Sequence, residues 1–501
     1  MPGAQPPLWA GPLHWAEHRG DRAAWIFDDT TVTYAELGEW ALKGSQLLRR
    51  LGLGTGDGIV VVSPNHLHSM SVFWAAQLAG LYYTPVSVQF QRDEVAYILG
   101  DCDASALVYH ASQAEKVADA PQGIRIDIDD WLSAIGGEPA RLIDDAAEGA
   151  EMLYSSGTTG RPKGVRGARP GAPLNQVSPL FQRRLELHGI DADTVYLSTA
   201  PLYHSAPLRY NNMVHRCGGT SVIMPRFEGE TSLALIEHHR ITHSQWVPTM
   251  FVRLLRLPER VRHGYDLSSH RVAVHAAAPC PPEIKRQMLD WWGPILYEYY
   301  SGTEGNGQTA ISPQEWLAHP GSVGRPVIGA VHVVDEHGRE LPPGETGRVF
   351  FSGGPRFEYY KDPEKTARAY DHRGWSTLGD IGYLDDDGYL YLTDRASHMI
   401  ISGGVNIYPR EVEDVLVSHP AVQDAAVFGV PDPEFGEAVK AAVELVPGAP
   451  GPPDADALID YCRTRLAHLK CPRSIDFHEA LPRHQTGKLY KEPLKRAYWP
   501  G

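Results

Sequence analysis

The sequence predicts an α/β protein with a large N-terminal body of two α/β sheets plus a small β-barrel, followed by a smaller, mobile α+β C-terminal domain. Up to about residue 322, short apolar runs alternate with segments of helical periodicity, which is typical of sheets covered by helices on both faces. Residues 323–392 change to short strand-like runs separated by Gly and Asp turns, which indicates a compact β unit. Beyond residue 398 a mixed pattern returns and fits a separate α+β domain.

The first α/β run lies before residue 110. Thr33 followed three residues later by Glu36 is the capping-box pattern, so we expect a helix from there through Leu51. The same run contains predicted strands at 23–27, 59–62, 82–86 and 106–109, and predicted helices at 66–79 and from 92.

The second α/β run follows a loop that Gly and Pro residues predict at 167–179. It contains predicted strands at 194–198, 221–224, 244–247, 271–275 and 295–299, and helices near 210 and at 233–239, 248–257 and 282–291. The β unit has predicted strands at 331–334, 347–351 and 389–392. The C-terminal domain has predicted helices at 409–418 and 454–466 and strands at 421–429 and 438–446.

These elements divide the chain into three parts. We expect an N-terminal domain at 1–394, with an α/β part at about 1–322 and a β-rich part at about 323–394. A hinge is predicted at 395–397, and the C-terminal domain covers 398–501.

Charge and cysteine content narrow the function class. The 501 residues carry a formal net charge of −15 at pH 7, which argues against a nucleic-acid partner because such proteins present a basic face. The five cysteines form no Cys-x-x-Cys pair, so neither a zinc site nor a disulfide framework is predicted, and a cytoplasmic location fits. No signal peptide or membrane span is recognised. The oligomeric state cannot be read from the sequence.

A stretch of small and hydroxylated residues at 155–164 predicts a phosphate-binding loop. An apolar run at 152–154 precedes it as a short buried strand. Glycines let backbone N–H groups turn inward, hydroxyls donate to phosphate oxygens, and Lys163 adds positive charge. Pro162 directly before Lys163 opposes the helix that a Walker P-loop needs. The candidate phosphate ligands are Ser155, Ser156, Gly157, Thr158, Thr159, Gly160 and Lys163. A flexible Ser/Thr/Gly-rich surface turn is the alternative that composition alone favours.

The order Ser-Ser-Gly-Thr-Thr-Gly-Arg-Pro-Lys-Gly resembles the phosphate loop of the adenylate-forming superfamily, which includes acyl-CoA synthetases, peptide-synthetase adenylation domains and luciferases. Further stretches resemble the motifs of this family in the family's order. They are Pro-Leu-Tyr-His-Ser-Ala at 201–206, Tyr-Ser-Gly-Thr-Glu at 300–304, Gly-Trp-Ser-Thr-Leu-Gly-Asp at 374–380, Asp-Arg at 394–395, the Gly-Gly loop at 399–413, and Leu-Pro-Arg-His-Gln-Thr-Gly-Lys at 481–488. The resemblance covers essentially the whole chain and is closest to fatty-acid or aryl-acid CoA ligases.

The resemblance implies a nucleotide site. Tyr300 would stack on adenine, and Asp380 and Arg395 would contact the ribose. Thr303 would touch the α-phosphate, and Glu304 would hold Mg²⁺, which usually binds one or two carboxylates plus phosphate oxygens. The adenine-binding segment would be Ala277, Ala278 and Pro279, of which only Ala278-Pro279 matches the family pattern closely.

The resemblance also implies catalytic and conformational parts. Lys488 would be the adenylation lysine, and His204 would lie beside the acyl group. Gly403 and Gly404 would form the loop that swings in for thioester formation with CoA. Ser397 and the following His398 stand where the family commonly has Asp or Lys and then Asp, which leaves the thioester-forming pose open.

The motifs define the nucleotide site more closely than they define the activated acid or the acyl acceptor. The candidate pocket residues are His204, Tyr210, Asn211, Trp246, Ala276 and Ser301. No acidic residue occurs in 201–208, which disfavours an α-amino acid, and the bulky aromatic residues favour an aryl or short-to-medium acyl acid. ATP, Mg²⁺ and CoA are the implied cosubstrates and cofactor. Two alternatives stay open: transfer to a nitrogen nucleophile instead of CoA, and a catalytically inactive homologue that binds nucleotide or acyl-CoA as a sensor.

Overall fold

A computed structural model describes residues 10–120, 123–155, 162–166, 170–278, 280–395, 398–402, 405–448, 451–483 and 489–499. Within these ranges the side chains of Ser155, Arg395 and Asn406 are not described.

The described helices are α1 Pro12–His18, α2 Tyr34–Arg50, α3 Ser69–Leu78, α4 Arg92–Asp101, α5 Trp131–Ile135, α6 Pro179–His188, α7 Ser205–Cys217, α8 Gly229–His238, α9 Pro248–Leu255, α10 Glu259–Arg262, α11 Pro282–Trp292, α12 Pro313–Ala318, α13 Pro363–Arg368, α14 Pro409–Val417, α15 Ala455–Arg463 and α16 Glu492–Arg496.

The described strands of the first 300 residues are β1 Ala23–Phe27, β2 Thr30–Thr33, β3 Gly58–Val62, β4 Tyr82–Pro85, β5 Ala104–Tyr109, β6 Ile124–Asp127, β7 Ala150–Ser155, β8 Lys163–Arg166, β9 Val195–Ser198, β10 Thr220–Ile223, β11 His243–Trp246, β12 Val272–His275 and β13 Leu296–Tyr300. The later ones are β14 Gln308–Ile311, β15 Arg325–Ile328, β16 Ala330–Val334, β17 Gly347–Ser352, β18 Glu358–Tyr359, β19 Asp380–Leu384, β20 Leu390–Arg395, β21 Ile400–Ser402, β22 Val405–Ile407, β23 Val422–Asp432, β24 Gly436–Leu445 and β25 Ser474–His478.

Two large sheets form the N-terminal body, which confirms the predicted α/β class. One sheet has the order β15-β14-β13-β12-β11-β9-β10-β1-β2 among the described strands, and the other has β18-β8-β7-β4-β3-β5-β6. Both are parallel in their middle strands. The nine-stranded sheet is antiparallel at both edges, whereas the seven-stranded sheet is antiparallel at the β18–β8–β7 edge and parallel at the β5–β6 edge. The carboxyl ends of parallel strands meet at one edge of a sheet, and the loops there carry the site.

Local signals set the helices that pack these sheets. The Thr33–Glu36 capping box forms as predicted at the start of α2. Every residue of α3 is buried, because this helix lies in the large core that also contains Trp25 and Trp131. A helix that is apolar on all sides needs such a position.

The β-rich part differs from its prediction. Its described strands form an antiparallel sheet in the order β16-β17-β19-β20. No described pairing joins β16 to β20, so the predicted barrel is wrong for these residues and the unit is an open sheet. Val323, Val349 and Leu390 of this unit share one small core, and Tyr300 of the body packs against it.

The C-terminal residues form a separate α+β unit with its own core, as predicted. The long antiparallel pair β23–β24 is flanked by β21 and by the parallel strand β25. Helices α14 and α15 cover this sheet through Val412, Leu416 and Leu458. No helix in the described part of the chain is long and apolar enough to span a membrane.

Candidate active site

A cavity of about 430 Å³ lies between the body and the C-terminal unit. The body lines it with the end of β13 and with the loops after β12 and before β19, while the C-terminal unit lines it with α14, β23, Arg483, Leu489 and Lys491. Five predicted nucleotide and acyl residues line this cavity: Ala277, Ala278, Tyr300, Ser301 and Asp380. The structure therefore brings together residues that lie about a hundred positions apart.

The Tyr300 hydroxyl donates to Asp380 Oδ2 at 2.5 Å. Tyr300 ends β13 of the large sheet, and Asp380 begins β19 of the small one. Asp380 is 7% exposed, and its backbone pairs with that of Arg395 on β20. This contact joins the predicted adenine and ribose ligands and orients the carboxylate toward the cavity that it lines.

Glu304 lies in the turn between β13 and β14, and its carboxylate is held by a residue that the motifs did not indicate. The Tyr359 hydroxyl donates to Glu304 Oε1 at 2.9 Å. A Cβ atom on Gly302 would lie 2.7 Å from Glu304 Oε2. Glycine at 302, next to Thr303 in the same turn, therefore lets the carboxylate fold back over the chain.

Tyr359 also lies beside the phosphate stretch. It belongs to β18, which pairs with β8 opposite Val165. The Nζ atom of Lys163 lies 5.3 Å from the centre of the Tyr359 ring, a cation–π distance. The sequence places Lys163 in the predicted phosphate-binding stretch; in the structure it begins β8, and its backbone pairs with Ser155 at the end of β7. The antiparallel pair β7–β8 thus holds Lys163 beside Tyr359.

A metal ion bound to Glu304 would take most of its ligands from the substrate. No group of three or more His, Cys, Asp or Glu side chains suited to a metal occurs among the described residues. The single carboxylate of Glu304, close to a lysine and a phosphate-loop strand, fits Mg²⁺, which commonly takes one or two carboxylates and phosphate oxygens. It does not fit a closed zinc site.

The predicted acyl residues divide between two faces of the nine-stranded sheet. Tyr210, Ala276 and Tyr299 share one core cluster, and the Asn211 amide on the same helix donates to Ser198 Oγ at 2.9 Å. Trp246 instead packs in the other cluster, at 5.1 Å from Trp292. Trp246 and Tyr210 therefore pack against opposite faces of the sheet, because side chains alternate along β11, and the assignment of both residues to the acyl pocket stays a prediction.

His204 and Ser301 are each held by local contacts. His204 precedes α7 as its N-cap residue, and its ring lies edge-on to Tyr203 at 4.6 Å. The Ser301 hydroxyl donates to the Gly307 carbonyl at 2.8 Å, which fixes the start of the turn that carries Glu304.

A buried ion pair supports β13 from behind. Lys285 Nζ lies 2.6 Å from Glu298 Oε2, and Lys285 is fully buried. His275 lies in the same group at 3.5 Å from that carboxylate oxygen. Burial, and then the Lys285 charge, hold the pKa of His275 well below its usual value, so the imidazole is neutral and the lysine neutralises Glu298.

Contacts across the domain interface were not predicted from the sequence. Arg256 Nη2 donates to the Val422 carbonyl at 2.8 Å, and the Arg410 N–H donates to Asp394 Oδ2 at 3.1 Å. No local pattern could indicate the first contact, because its partners lie on different domains. The contact between Tyr359 and Glu304 depends on the pairing of the two-residue strand β18 with β8. So short a strand leaves no hydrophobic periodicity in the sequence that could predict this pairing.

Several predicted site residues lie outside the described residues. These are Ser156, Gly157, Thr158, Thr159, Gly160, Pro279, Ser397, Gly403, Gly404 and Lys488. The side chains of Ser155 and Arg395 also lie outside them. Their assignments stay predictions.

Two family models match the chain. Residues 13–360 match the AMP-binding enzyme family, and residues 411–488 match its C-terminal domain. The chain belongs to the AMP-binding enzyme family. The first match lies within the body and the second within the C-terminal unit.

Relatives of known activity are similar over almost the whole chain. The feruloyl-CoA synthase of an Amycolatopsis species is 34% identical over 94% of both chains. The o-succinylbenzoate CoA synthetase of Bacillus subtilis, solved with its acyl-adenylate intermediate, is 29% identical with a TM-score of 0.82 over 98% of both chains. The amide bond synthetase McbA of Marinactinospora thermotolerans is 28% identical with a TM-score of 0.80 over 97% of this chain and 100% of that one.

These relationships place the chain among the AMP-forming acid–thiol ligases. Such an enzyme activates a carboxylic acid as an acyl-adenylate and transfers the acyl group to CoA. The adenylate-forming resemblance is confirmed, and the sensor alternative loses its support.

Proposed function

We propose that this enzyme activates an aryl or short-to-medium-chain carboxylic acid with ATP and Mg²⁺, and that Lys488 supplies the charge for the adenylation step. One observation carries the assignment of the lysine. Arg483 and Leu489, which flank residues 484–488 and pair with each other as an isolated bridge, both line the cavity that contains Tyr300 and Asp380. The chain thus enters and leaves the segment of Lys488 at the nucleotide cavity.

In the first step the substrate carboxylate attacks the α-phosphorus of ATP, and pyrophosphate leaves. The protein contributes position and charge more than covalent chemistry. Tyr300 and Asp380 orient the nucleoside, Thr303 contacts the α-phosphate, and Lys488 neutralises the oxyanions that meet there. His204 lies beside the acyl group of the substrate.

The departing pyrophosphate is held at the other end of the cavity. The loop at 155–160 and Lys163 contact its oxygens, and Glu304 is the metal ligand. Mg²⁺, when bound there, supplies positive charge to the leaving phosphates. The hydrogen bond from Tyr359 supports this assignment because it fixes one oxygen of Glu304 beside the ring that Lys163 approaches.

In the second step the CoA thiol attacks the acyl carbonyl and AMP leaves. Gly403 and Gly404 form the loop that approaches the pantetheine arm, since glycines allow close contact with backbone. Residues 395–397 act as the hinge between a domain at 1–394 and one at 398–501. Between the two steps the C-terminal domain would rotate about this hinge. Asp394 precedes the hinge and Arg410 lies in the C-terminal domain, so the rotation would break their hydrogen bond.

The acid class is inferred from relatives and from the wall. Enzymes named for feruloyl and succinylbenzoyl substrates are among the relatives. In addition, the bulky side chain of Tyr210, which packs with Ala276, would limit the length of the acyl pocket. A cytoplasmic location is part of the same proposal, supported by five cysteines that are all free thiols.

A panel of carboxylic acids in ATP–pyrophosphate exchange tests this proposal. We expect exchange with one group of aryl or medium-length acids, and acid-dependent AMP release that rises with CoA. The likeness to an amide bond synthetase makes ammonia and simple amines the second acceptors to include. Amide formation without any CoA-dependent AMP release would assign the nitrogen acceptor instead.

A further inference from the structure

An arginine is buried behind the acyl wall without a counter-charge. Arg184 lies on α6 and is 4% exposed. Its Nε–H donates to the Gln308 amide oxygen at 2.9 Å, and its guanidinium carbon lies 5.2 Å from the centre of the Tyr299 ring. Across the residues that the structure describes, no carboxylate forms an ion pair with it. A buried cation without an anion is costly unless something else neutralises it.

The guanidinium offers more donors than the fold uses. Arginine carries five N–H groups in a planar fork that matches an oxyanion. The contact with Gln308 uses only the Nε–H, and within the described part of the chain no hydrogen bond is made by Nη1 or Nη2. A purely structural brace from α6 to β14 would need no more than the Nε contact.

The surroundings of Arg184 contain further buried polar atoms that the described residues do not pair. They are both ring nitrogens of His188, the Tyr210 hydroxyl and the Gln308 amide nitrogen. Burial and the charge of Arg184 lower the pKa of His188 to about 3, so this ring is neutral. Natural interiors leave few such groups unpaired, and a cluster of them beside one cation indicates a site for a polar ligand group.

The position connects this cluster to the reacting centre. Tyr299, which contacts Arg184, lines the nucleotide cavity and precedes Tyr300 on β13. Gln308 begins β14, whose next residue pairs with Tyr300. Tyr210 and Ala276, two of the predicted acyl residues, share the core cluster of Tyr299. The cluster thus lies behind the acyl side of the cavity, away from the phosphates.

We propose that the acid activated here carries a second oxyanion, a carboxylate or a sulfonate, which the Nη atoms of Arg184 bind at the far end of the acyl pocket. This inference rests on the proposed function and specifies its substrate. The Gln308 amide nitrogen and the Tyr210 hydroxyl supply additional donors to the same group. Arg184 is a specificity residue and takes no part in adenylation itself.

Matched acids test the inference in the wild-type enzyme. Aliphatic and aromatic diacids of increasing length are compared in ATP–pyrophosphate exchange with their monomethyl esters, which keep the shape and lose the charge, and with ω-sulfonates of the same length. At the best length, the diacid or the sulfonate is expected to exceed its ester at least tenfold in kcat/KM. Equal or better turnover of the esters across the panel overturns the inference.

Variants separate specificity from folding. Arg184→Gln is expected to lower kcat/KM for the dianionic acid about 10- to 100-fold and to leave the ester within about threefold, while Arg184→Lys keeps part of the preference. Arg183→Gln is the matched control, because Arg183 is the preceding residue and forms an exposed pair with Glu186. An equal loss for all acids in Arg184→Gln, with a lowered melting temperature, identifies a brace and overturns the inference.

The same assay distinguishes failure of the inference about Arg184 from failure of the proposed function. Exchange with monoanionic acids and none with dianionic acids overturns the inference about Arg184 and leaves the proposed function standing. Absence of exchange with every acid, monoanionic or dianionic, overturns the proposed function and this inference with it.

Discussion

The hydroxyl of Tyr359 donates to the carboxylate of Glu304 at 2.9 Å, and this contact ties the strand beside the phosphate loop to the predicted metal ligand. The two residues lie on different sheets of the body, because β18 extends the seven-stranded sheet and Glu304 follows the nine-stranded one. The nucleotide site is therefore built where the two sheets meet.

Removing this hydroxyl tests its positioning role. In Tyr359→Phe the carboxylate loses one fixed donor, so we expect kcat of adenylation to fall about three- to tenfold and the Mg²⁺ concentration for half-maximal rate to rise, with a stability loss of about 1 kcal/mol. ATP–pyrophosphate exchange at several Mg²⁺ concentrations measures both. Tyr360→Phe is the control, since that hydroxyl binds Asp103 instead. An unchanged Mg²⁺ dependence in Tyr359→Phe would contradict the positioning role.

Lys488 is predicted to be the main electrostatic stabiliser of adenylation. Lys488→Ala is expected to lose pyrophosphate release by about 10²–10³-fold or more, the scale of one preorganised stabiliser. Thioester formation from supplied acyl-adenylate should be much less affected. Lys495→Ala controls for loss of charge, because Lys495 lies in α16 and stacks over Trp499. Pyrophosphate release at near wild-type rate in Lys488→Ala would rule out the assignment.

Gly404 is predicted to matter only after the adenylate has formed. Gly404→Leu is expected to spare acyl-adenylate formation and to block acyl-CoA formation, because the side chain would fill the path of the pantetheine arm. Quenched-flow measurement of both products separates the steps. Gly100→Leu, at an exposed position of α4 with no atom near its added Cβ, should change neither. Equal loss of both steps would refute the two-pose mechanism.

Acid should destabilise the fold through its buried histidines. Burial lowers the pKa of His188, His215 and His270 to about 3. Between pH 6.5 and 3 the unfolded chain binds protons at these residues that the folded chain does not, so stability falls as the pH falls. At pH 5 each histidine accounts for about 2 kcal/mol of that loss.

Melting temperatures between pH 7.5 and 5 measure this effect. His215→Gln, which keeps an acceptor for the Trp74 indole N–H, is expected to flatten the dependence by one proton. His337→Gln, at an exposed turn, should leave it unchanged. The same slope in His215→Gln and wild type would show that buried histidines are not responsible.

The sequence patterns located the central strands and most helices of the body to within a few residues, because apolar periodicity is strong where both faces of an element are buried. They missed α6, although Ser178-Pro179 is an N-cap and first-turn signal that the structure uses. This omission concealed Arg184. They also missed β8 and β18, which are short and depend on a pairing partner far along the chain.

The candidate site could be predicted from the sequence only where a motif names its residues. Ordered motifs named Tyr300, Ser301 and Asp380, which the structure brings to one cavity. They could not give the support of those residues, such as the Tyr359 contact, because it arises from tertiary packing. The alternation of side chains along β11 places Trp246 on the sheet face opposite Gln245 and in a different core cluster from Tyr210.

The most direct test of the account is acid-dependent AMP release with and without CoA, followed with product identification by mass spectrometry. With an accepted acid, ATP and Mg²⁺, we expect slow AMP release alone, a marked increase on adding CoA, and a stoichiometric acyl-CoA product. AMP release that CoA leaves unchanged, with an amide formed when an amine is supplied, would contradict the acid–thiol ligase.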